Sequence, residues 1–186
     1  MRLLLHICCG PCALYPVRYL RDKGFEVYGY FYNPNIYPYS EFVKRMETLQ
    51  KWAMENELQM IYNDDYRLEE YLQSVVYREQ VRCQVCYNMR LRQVASVARN
   101  GKFDYFSTTL LISPFQNHEM IKATGEAVGQ EYGVPFYYED FRPGFKDAVT
   151  ESKAKGMYRQ QYCGCIYSEK ERFYRPRKEK GGRNNG

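Results

Sequence analysis

The chain of 186 residues predicts an α/β fold, a three-layer sandwich around a mainly parallel sheet. Three observations carry that expectation. Short β-prone runs alternate with segments of helical period in the order β-α-β-α-β-α-α-β-α-β. The first run is apolar almost throughout, as in a strand covered on both faces. Stops rich in glycine, asparagine and proline separate the segments.

Residues 2–7 (Arg-Leu-Leu-Leu-His-Ile) form the first expected strand and deliver Cys8, Cys9 and Gly10 into a turn. Pro11 suits the first turn of a helix, where its missing N–H has no partner to lose. That helix runs through Leu14, Val17 and Leu20 to a stop at Gly24. Residues 26–32 read as the second strand, and a helix follows from Ser40, the expected N-cap, to Asn56. Residues 59–62 predict a third strand and 68–76 a helix. Cys83 and Cys86 stand at the entrance to the next helix, which stops at Asn100-Gly101. Residues 103–111 predict a fourth strand, 117–133 a helix and 134–138 a fifth strand. Loop and short helix are expected from Phe141 onward.

This length supports one substantial core, so a single catalytic domain is expected over residues 1–169, followed by a basic, flexible tail over 170–186. Residues 1–169 balance 20 Lys/Arg against 20 Asp/Glu, so the tail carries the whole net charge of +5. Such an arm suits phosphates, though a solubilising terminus has the same composition. No apolar run approaches a membrane span, which predicts a cytoplasmic protein with no membrane partner. No glycine-rich phosphate loop follows any strand, which disfavours a nucleotide cofactor.

The seven cysteines fall into three groups: Cys8-Cys9-Gly10-Pro11-Cys12, Cys83-Gln84-Val85-Cys86 and Cys163-Gly164-Cys165. Thiolates at such short spacings suit a metal or redox site. Cys83 and Cys86 at a helix start, together with Cys8 and Cys9, supply the four sulfurs of a four-iron cluster. Both adjacent cysteines can ligate only if the chain turns at Gly10-Pro11. Cys12 is then an alternative ligand or a neighbouring thiol. A structural zinc site is compatible with the same spacings. An odd cysteine count and the absence of an apolar leader argue against a secreted disulfide framework. Cys163 and Cys165 suit either a strained, easily reduced disulfide or a pair of metal ligands.

Ligands of open parallel sheets bind outside the carboxyl ends of the strands. That rule places Asn33, Ser107, Thr108, Asp140 and Arg142 on one rim with Cys8 and Cys9. Asn33 and Tyr37 are candidate substrate contacts or turn residues. His118 caps a helix or touches substrate, Asp140 and Arg142 form either an acid–base site or a surface ion pair, and His6 reads as a packed, hydrogen-bonded neighbour of the cysteines.

Five segments together resemble the QueH family of epoxyqueuosine reductases, in particular a thermophilic bacterial member. They are 6–12 (His-Ile-Cys-Cys-Gly-Pro-Cys), 30–36 (Tyr-Phe-Tyr-Asn-Pro-Asn-Ile), 82–91 (Arg-Cys-Gln-Val-Cys-Tyr-Asn-Met-Arg-Leu), 108–114 (Thr-Thr-Leu-Leu-Ile-Ser-Pro) and 161–165 (Gln-Tyr-Cys-Gly-Cys). The resemblance runs from Leu5 to about Ser168. It implies a HUP-type, ATP-pyrophosphatase-like relative of the Rossmann class without the phosphate loop. It also implies two-electron removal of the epoxide oxygen from epoxyqueuosine in the tRNA anticodon loop, the last step of queuosine biosynthesis. The implied cofactor is a four-iron, four-sulfur cluster (4Fe-4S) mapped to Cys8, Cys9, Cys83 and Cys86, with an additional iron held by Cys12, Cys163, Cys165 or a carboxylate. Cys163 and Cys165 are alternatively a redox-active disulfide, and Asp140 is the expected proton donor. The partners are tRNA and an electron donor that the sequence does not identify. An iron–sulfur tRNA thiolation enzyme and a zinc-stabilised RNA-binding module are the competing classes.

Overall fold

The computed structural model describes residues 1–176. Four strands, β1 (Arg2–His6), β2 (Glu26–Tyr32), β3 (Gln59–Asn63) and β4 (Tyr105–Thr108), form one sheet in the order β3-β2-β1-β4. All pairings are parallel, with Leu4 opposite Tyr28 on one side and Phe106 on the other. β1 is central, and Leu3, Leu4 and Leu5 have no exposed surface. Each such leucine is worth ~1.5–3 kcal/mol over leaving it in water.

Helices flank the sheet. α1 (Gly10–Asp22) joins β1 to β2, α2 (Tyr39–Glu55) joins β2 to β3, and α3 (Leu68–Val75) and α4 (Arg82–Asn100) carry the chain back across to β4. α5 (His118–Tyr132), α6 (Phe145–Ala154) and α7 (Ile166–Phe173) follow. The crossover to β4 runs in the opposite sense to the first two. Right-handed connections therefore put α1 and α2 on one face and α4 on the other. Accordingly α1 packs against α2 and α6, and α4 against α5. The reversal makes the gap beyond the carboxyl ends of β1 and β4 the topological switch point.

Three expectations are corrected. The fifth strand is only an isolated bridge from Phe106 to Phe136; Pro135 has no N–H to donate to a ladder. The fourth strand ends at Thr108, whose hydroxyl accepts from the Leu110 backbone N–H at 3.2 Å and winds Thr109–Ile112 into a 3-10 turn. Ser40 lies inside α2, and Pro38 occupies the N-cap position. Lys170 to Phe173 belong to α7, while the basic residues 177–186 lie outside the described residues. Among the described residues no helix is long and apolar enough to cross a membrane.

Candidate metal centre

β1 ends one residue before Ile7, so the chain turns before Cys8 and Cys9 rather than alternating their side chains across a strand. Cys9 is the extended N-cap of α1, Gly10 opens the helix, Pro11 sits in its first turn, and Cys12 follows on that turn. The sulfurs of Cys8, Cys9 and Cys12 all lie within 4.8 Å of one another, a three-thiol cluster suited to a metal ion. Cys8 and Cys9 sulfurs are 3.8 Å apart, and both residues are buried. Thr109 binds Cys8 twice: its Oγ1 accepts from the Cys8 N–H at 3.2 Å and donates to the sulfur at 3.5 Å. Gln160 Nε2 donates to Cys9 at 2.9 Å and to Cys12 at 3.4 Å. Hydrogen bonds from Cys12 and Cys9, with Thr109, hold the Cys8 thiol well below the ordinary range. Burial pushes Cys9 up, and the bond to Cys8 raises Cys12.

Cys83 and Cys86 occupy the first turn of α4, three residues apart and so on one helical face. Burial raises both thiols, opposed at Cys83 by Arg82 and at Cys86 by Arg90. Cys163 and Cys165 are free thiols. Cys163 Sγ lies 2.9 Å from Ser168 Oγ, and Cys165, the N-cap of α7, lies 3.2 Å from the Tyr71 hydroxyl. The loop around them is tied down by three hydrogen bonds from two residues. Arg45 Nη1 and Nη2 donate to the Cys163 and Tyr162 carbonyls, each at 3.0 Å, and the Tyr37 N–H donates to the Gly164 carbonyl at 2.7 Å. Gly164 has φ +109°, and a Cβ there would lie 2.9 Å from Ile36. Arg45 is itself buried and held by Glu41 at 2.7 Å.

Six of the seven cysteines, Cys8, Cys12, Cys83, Cys86, Cys163 and Cys165, line one cavity of about 640 Å³ at the switch point. The seventh, Cys9, lies directly behind Cys8 and Cys12. Asn35, Arg45, Tyr71, Arg90 and Thr109 share its wall. Of the expected set, Cys8, Cys83 and Cys86 line the cavity while Cys9 clusters with Cys8, and Cys12 joins Cys8 and Cys9 more tightly than its spacing alone required.

The other expected residues are placed elsewhere. Asn33 is buried and donates to the Ile7 carbonyl at 3.0 Å, and Ser107 is buried under the rim. Thr108 is buried too and faces His6, whose Nδ1 it meets at 2.9 Å while His6 Nε2 donates to the Tyr32 carbonyl at 3.0 Å. Burial and the nearby Arg90 lower His6 to about 4, so the ring is neutral, a packed neighbour as expected. Tyr37 acts through its backbone on the Cys163 loop. His118 opens α5 and bonds the Ser113 carbonyl at 3.2 Å. Asp140 and Arg142 pair with each other on the surface at 2.6 and 2.8 Å. None of these seven, Asn33, Tyr37, Ser107, Thr108, His118, Asp140 and Arg142, lines the cavity. The bonds from Arg142 hold the Asp140 carboxyl below its usual range, which suits a permanent anion better than a proton donor.

Sequence reasoning missed Asn35, Arg45, Tyr71, Arg90, Thr109 and Gln160. Asn35, Arg90 and Thr109 lie inside the quoted segments 30–36, 82–91 and 108–114, beside the residues that were chosen. Nothing in the sequence distinguishes Arg45 from a solvated helix residue.

A family model described as "Epoxyqueuosine reductase QueH" matches residues 3–171. Relatives carrying that same name include one from Dehalococcoides mccartyi, 42% identical with 94% of this chain and 96% of the relative covered. One from Thermotoga maritima is 39% identical, covering 91% of each. One from Streptococcus pyogenes is 34% identical, covering 90% of this chain and 70% of the relative. Among solved structures, a predicted subunit of tRNA methyltransferase from Methanocaldococcus jannaschii aligns with TM-score 0.55 and 11% identity, over 82% of this chain and 74% of that one. That likeness concerns the fold alone and agrees with a Rossmann-like parallel sheet.

Proposed function

The chain belongs to the epoxyqueuosine reductase QueH family, and from that membership we propose that the cysteine-lined cavity is where it reduces its substrate. The chain is an oxidoreductase that modifies tRNA: it removes the epoxide oxygen of epoxyqueuosine to give queuosine, the last step of queuosine biosynthesis. The conversion takes two electrons and two protons, and the oxygen leaves as water. The observation that carries the assignment to this cavity is the gathering of six cysteines on its wall with the seventh behind them. We read the sheet as the HUP-type, ATP-pyrophosphatase-like variant in which the first β-α turn carries cysteines instead of a phosphate loop.

The donor set fits a thiolate-ligated iron–sulfur cluster, because four sulfurs are what such a cluster needs and the helix starts of α1 and α4 favour negative charge. Cys8, Cys9, Cys83 and Cys86 are the residues that would hold it, and when bound it supplies the electrons. Cys12, Cys163 and Cys165 are left either to hold an additional iron or, for the last two, to form a redox disulfide. Arg45 fixes the loop bearing Cys163 and Cys165 and so holds these thiols in place on the cavity wall, beside Cys83 and Cys86. Thr109 orients Cys8. The Tyr71 hydroxyl, bonded to Cys165 on the cavity wall, is the proton-bearing group we assign to the leaving oxygen. The anticodon loop would present its modified nucleoside to the cavity mouth, with Arg82, Arg159 and Arg172 on the lining available for its phosphates. The physiological electron donor is a separate partner.

Iron, acid-labile sulfide and zinc measured on anaerobically purified protein test this reading, with EPR before and after dithionite. About four irons and four sulfides per chain, and a signal that appears on reduction, support it. The three-thiol cluster of Cys8, Cys9 and Cys12 would also accept zinc. Stoichiometric zinc without sulfide, persisting after reconstitution, replaces the cluster with a structural site.

A further inference from the structure

Asn35 stands between two groups that leave its amide no freedom. Its Oδ1 accepts from Arg90 Nε at 3.1 Å and Nη2 at 2.7 Å, and its Nδ2 donates to Cys86 Sγ at 3.2 Å. A guanidinium has donors only, so the carbonyl end must face Arg90 and the N–H end must face the sulfur. Gln160 offers the contrast. Its amide also reaches two sulfurs, but its Oε1 is buried with no partner among the described residues, so nothing dictates its orientation.

Both members of the relay are removed from water: Asn35 is 1% exposed and Arg90 2%. Among the described residues Arg90 forms no ion pair with a carboxylate, whereas Arg45, buried on the same cavity wall, has Glu41 at 2.7 Å. A buried guanidinium without a carboxylate must find its counter-charge elsewhere. The sulfur at the other end of Asn35 is the anion-forming group the geometry offers.

We propose that Arg90 and Asn35 form a relay that directs positive charge onto the Cys86 sulfur and thereby raises the reduction potential of the iron–sulfur centre that sulfur holds. The inference rests on the reading above that Cys86 is a cluster ligand. Reduction adds an electron to a centre already surrounded by thiolates. An N–H···S bond backed by a fixed cation stabilises that reduced state more than the oxidised one, and hydrogen bonds to the sulfurs are among the protein's means of setting cluster potentials. Asn35 and Arg90 are positioning residues: they act through Cys86.

The test is an anaerobic potentiometric titration followed by EPR on cluster-loaded wild type, Asn35→Asp, Arg90→Gln and Arg90→Lys. Asn35→Asp keeps the acceptor for Arg90 but places an anionic acceptor against the sulfur. Its reduction equilibrium is expected to fall at least tenfold, which for one electron is ~59 mV. Arg90→Gln moves the midpoint in the same direction, Arg90→Lys restores part of it, and with Asn35→Ser, which breaks the relay, the further change Arg90→Gln lowers it less than Arg90→Gln does in wild type. Should Asn35→Asp not fold, Asn35→Ser, too short to reach the sulfur, decides in the same way. Wild type and Asn35 variants with equal iron and sulfide and the same midpoint overturn the relay while leaving the ligand reading intact. Wild-type protein that takes up no iron or sulfide overturns both.

Discussion

Tyr71 and Asp140 make opposite predictions at the scale of single residues. Tyr71 is buried on the cavity wall and shares a proton with Cys165; burial first, then that bond, raises its phenol above the ordinary range. Tyr71→Phe removes the proton and little else, and turnover on epoxyqueuosine tRNA should fall on the order of a hundredfold with iron content unchanged. Asp140→Asn should leave turnover as it is, because the carboxylate lies off the cavity. Its effect is on stability and is small, since the pair with Arg142 is exposed. The carboxyl is held low when folded, so its contribution is full at neutral pH and vanishes as pH falls through the folded value. Urea unfolding should therefore separate Asp140→Asn from wild type at pH 7 and not in strong acid. The sequence showed the cysteines because their spacing is unusual. It hid Arg45 and Arg90 because arginine is almost always solvated, and only tertiary packing reveals that these two are not.

The loop from Tyr162 to Cys165 shows what one element contributes. It has no regular structure of its own and is shaped by two carbonyl bonds to Arg45 and one to the Tyr37 N–H. Arg45→Met leaves Glu41 buried without its cation, a loss of roughly 3–5 kcal/mol that a urea titration would register. Gly164→Ala should be milder in stability and sharper in function: the positive φ and the contact with Ile36 force the loop to shift, so the alkylation rates of Cys163 and Cys165 should change while α2 and β2 stay intact. Helices and central strands were legible from period and stops. The missing fifth strand was not, because residues 134–138 have a strand's composition and only Pro135 betrays that the ladder cannot continue there.

Across the whole molecule, the rule that ligands gather where strand order reverses placed Cys8 and Cys9 on the rim, while Cys83, Cys86, Cys163 and Cys165, which follow no strand, reach the same cavity through tertiary packing that the rule does not address. It failed for Asn33, Ser107 and Thr108, which occupy the right strand ends but turn their side chains into the protein, a choice that register decides and sequence does not display. The basic segment bears on the same scale. Removing residues 177–186 deletes four Lys/Arg and one Glu. The tRNA affinity of the shortened chain should fall and its dependence on salt flatten, as filter binding at several ionic strengths would record.

The cavity wall is written in three instalments along the chain: residues 8–12, then 83–86, then 163–165. During synthesis the first thiols wait beside an arginine whose carbonyl partners do not yet exist, and the pocket has no third side until residues 162–165 have been made. A chain ended before them keeps the four sulfurs read as cluster ligands but leaves Arg45 without its loop and the cavity open on that side, so the third instalment encloses a centre that the first two can already hold.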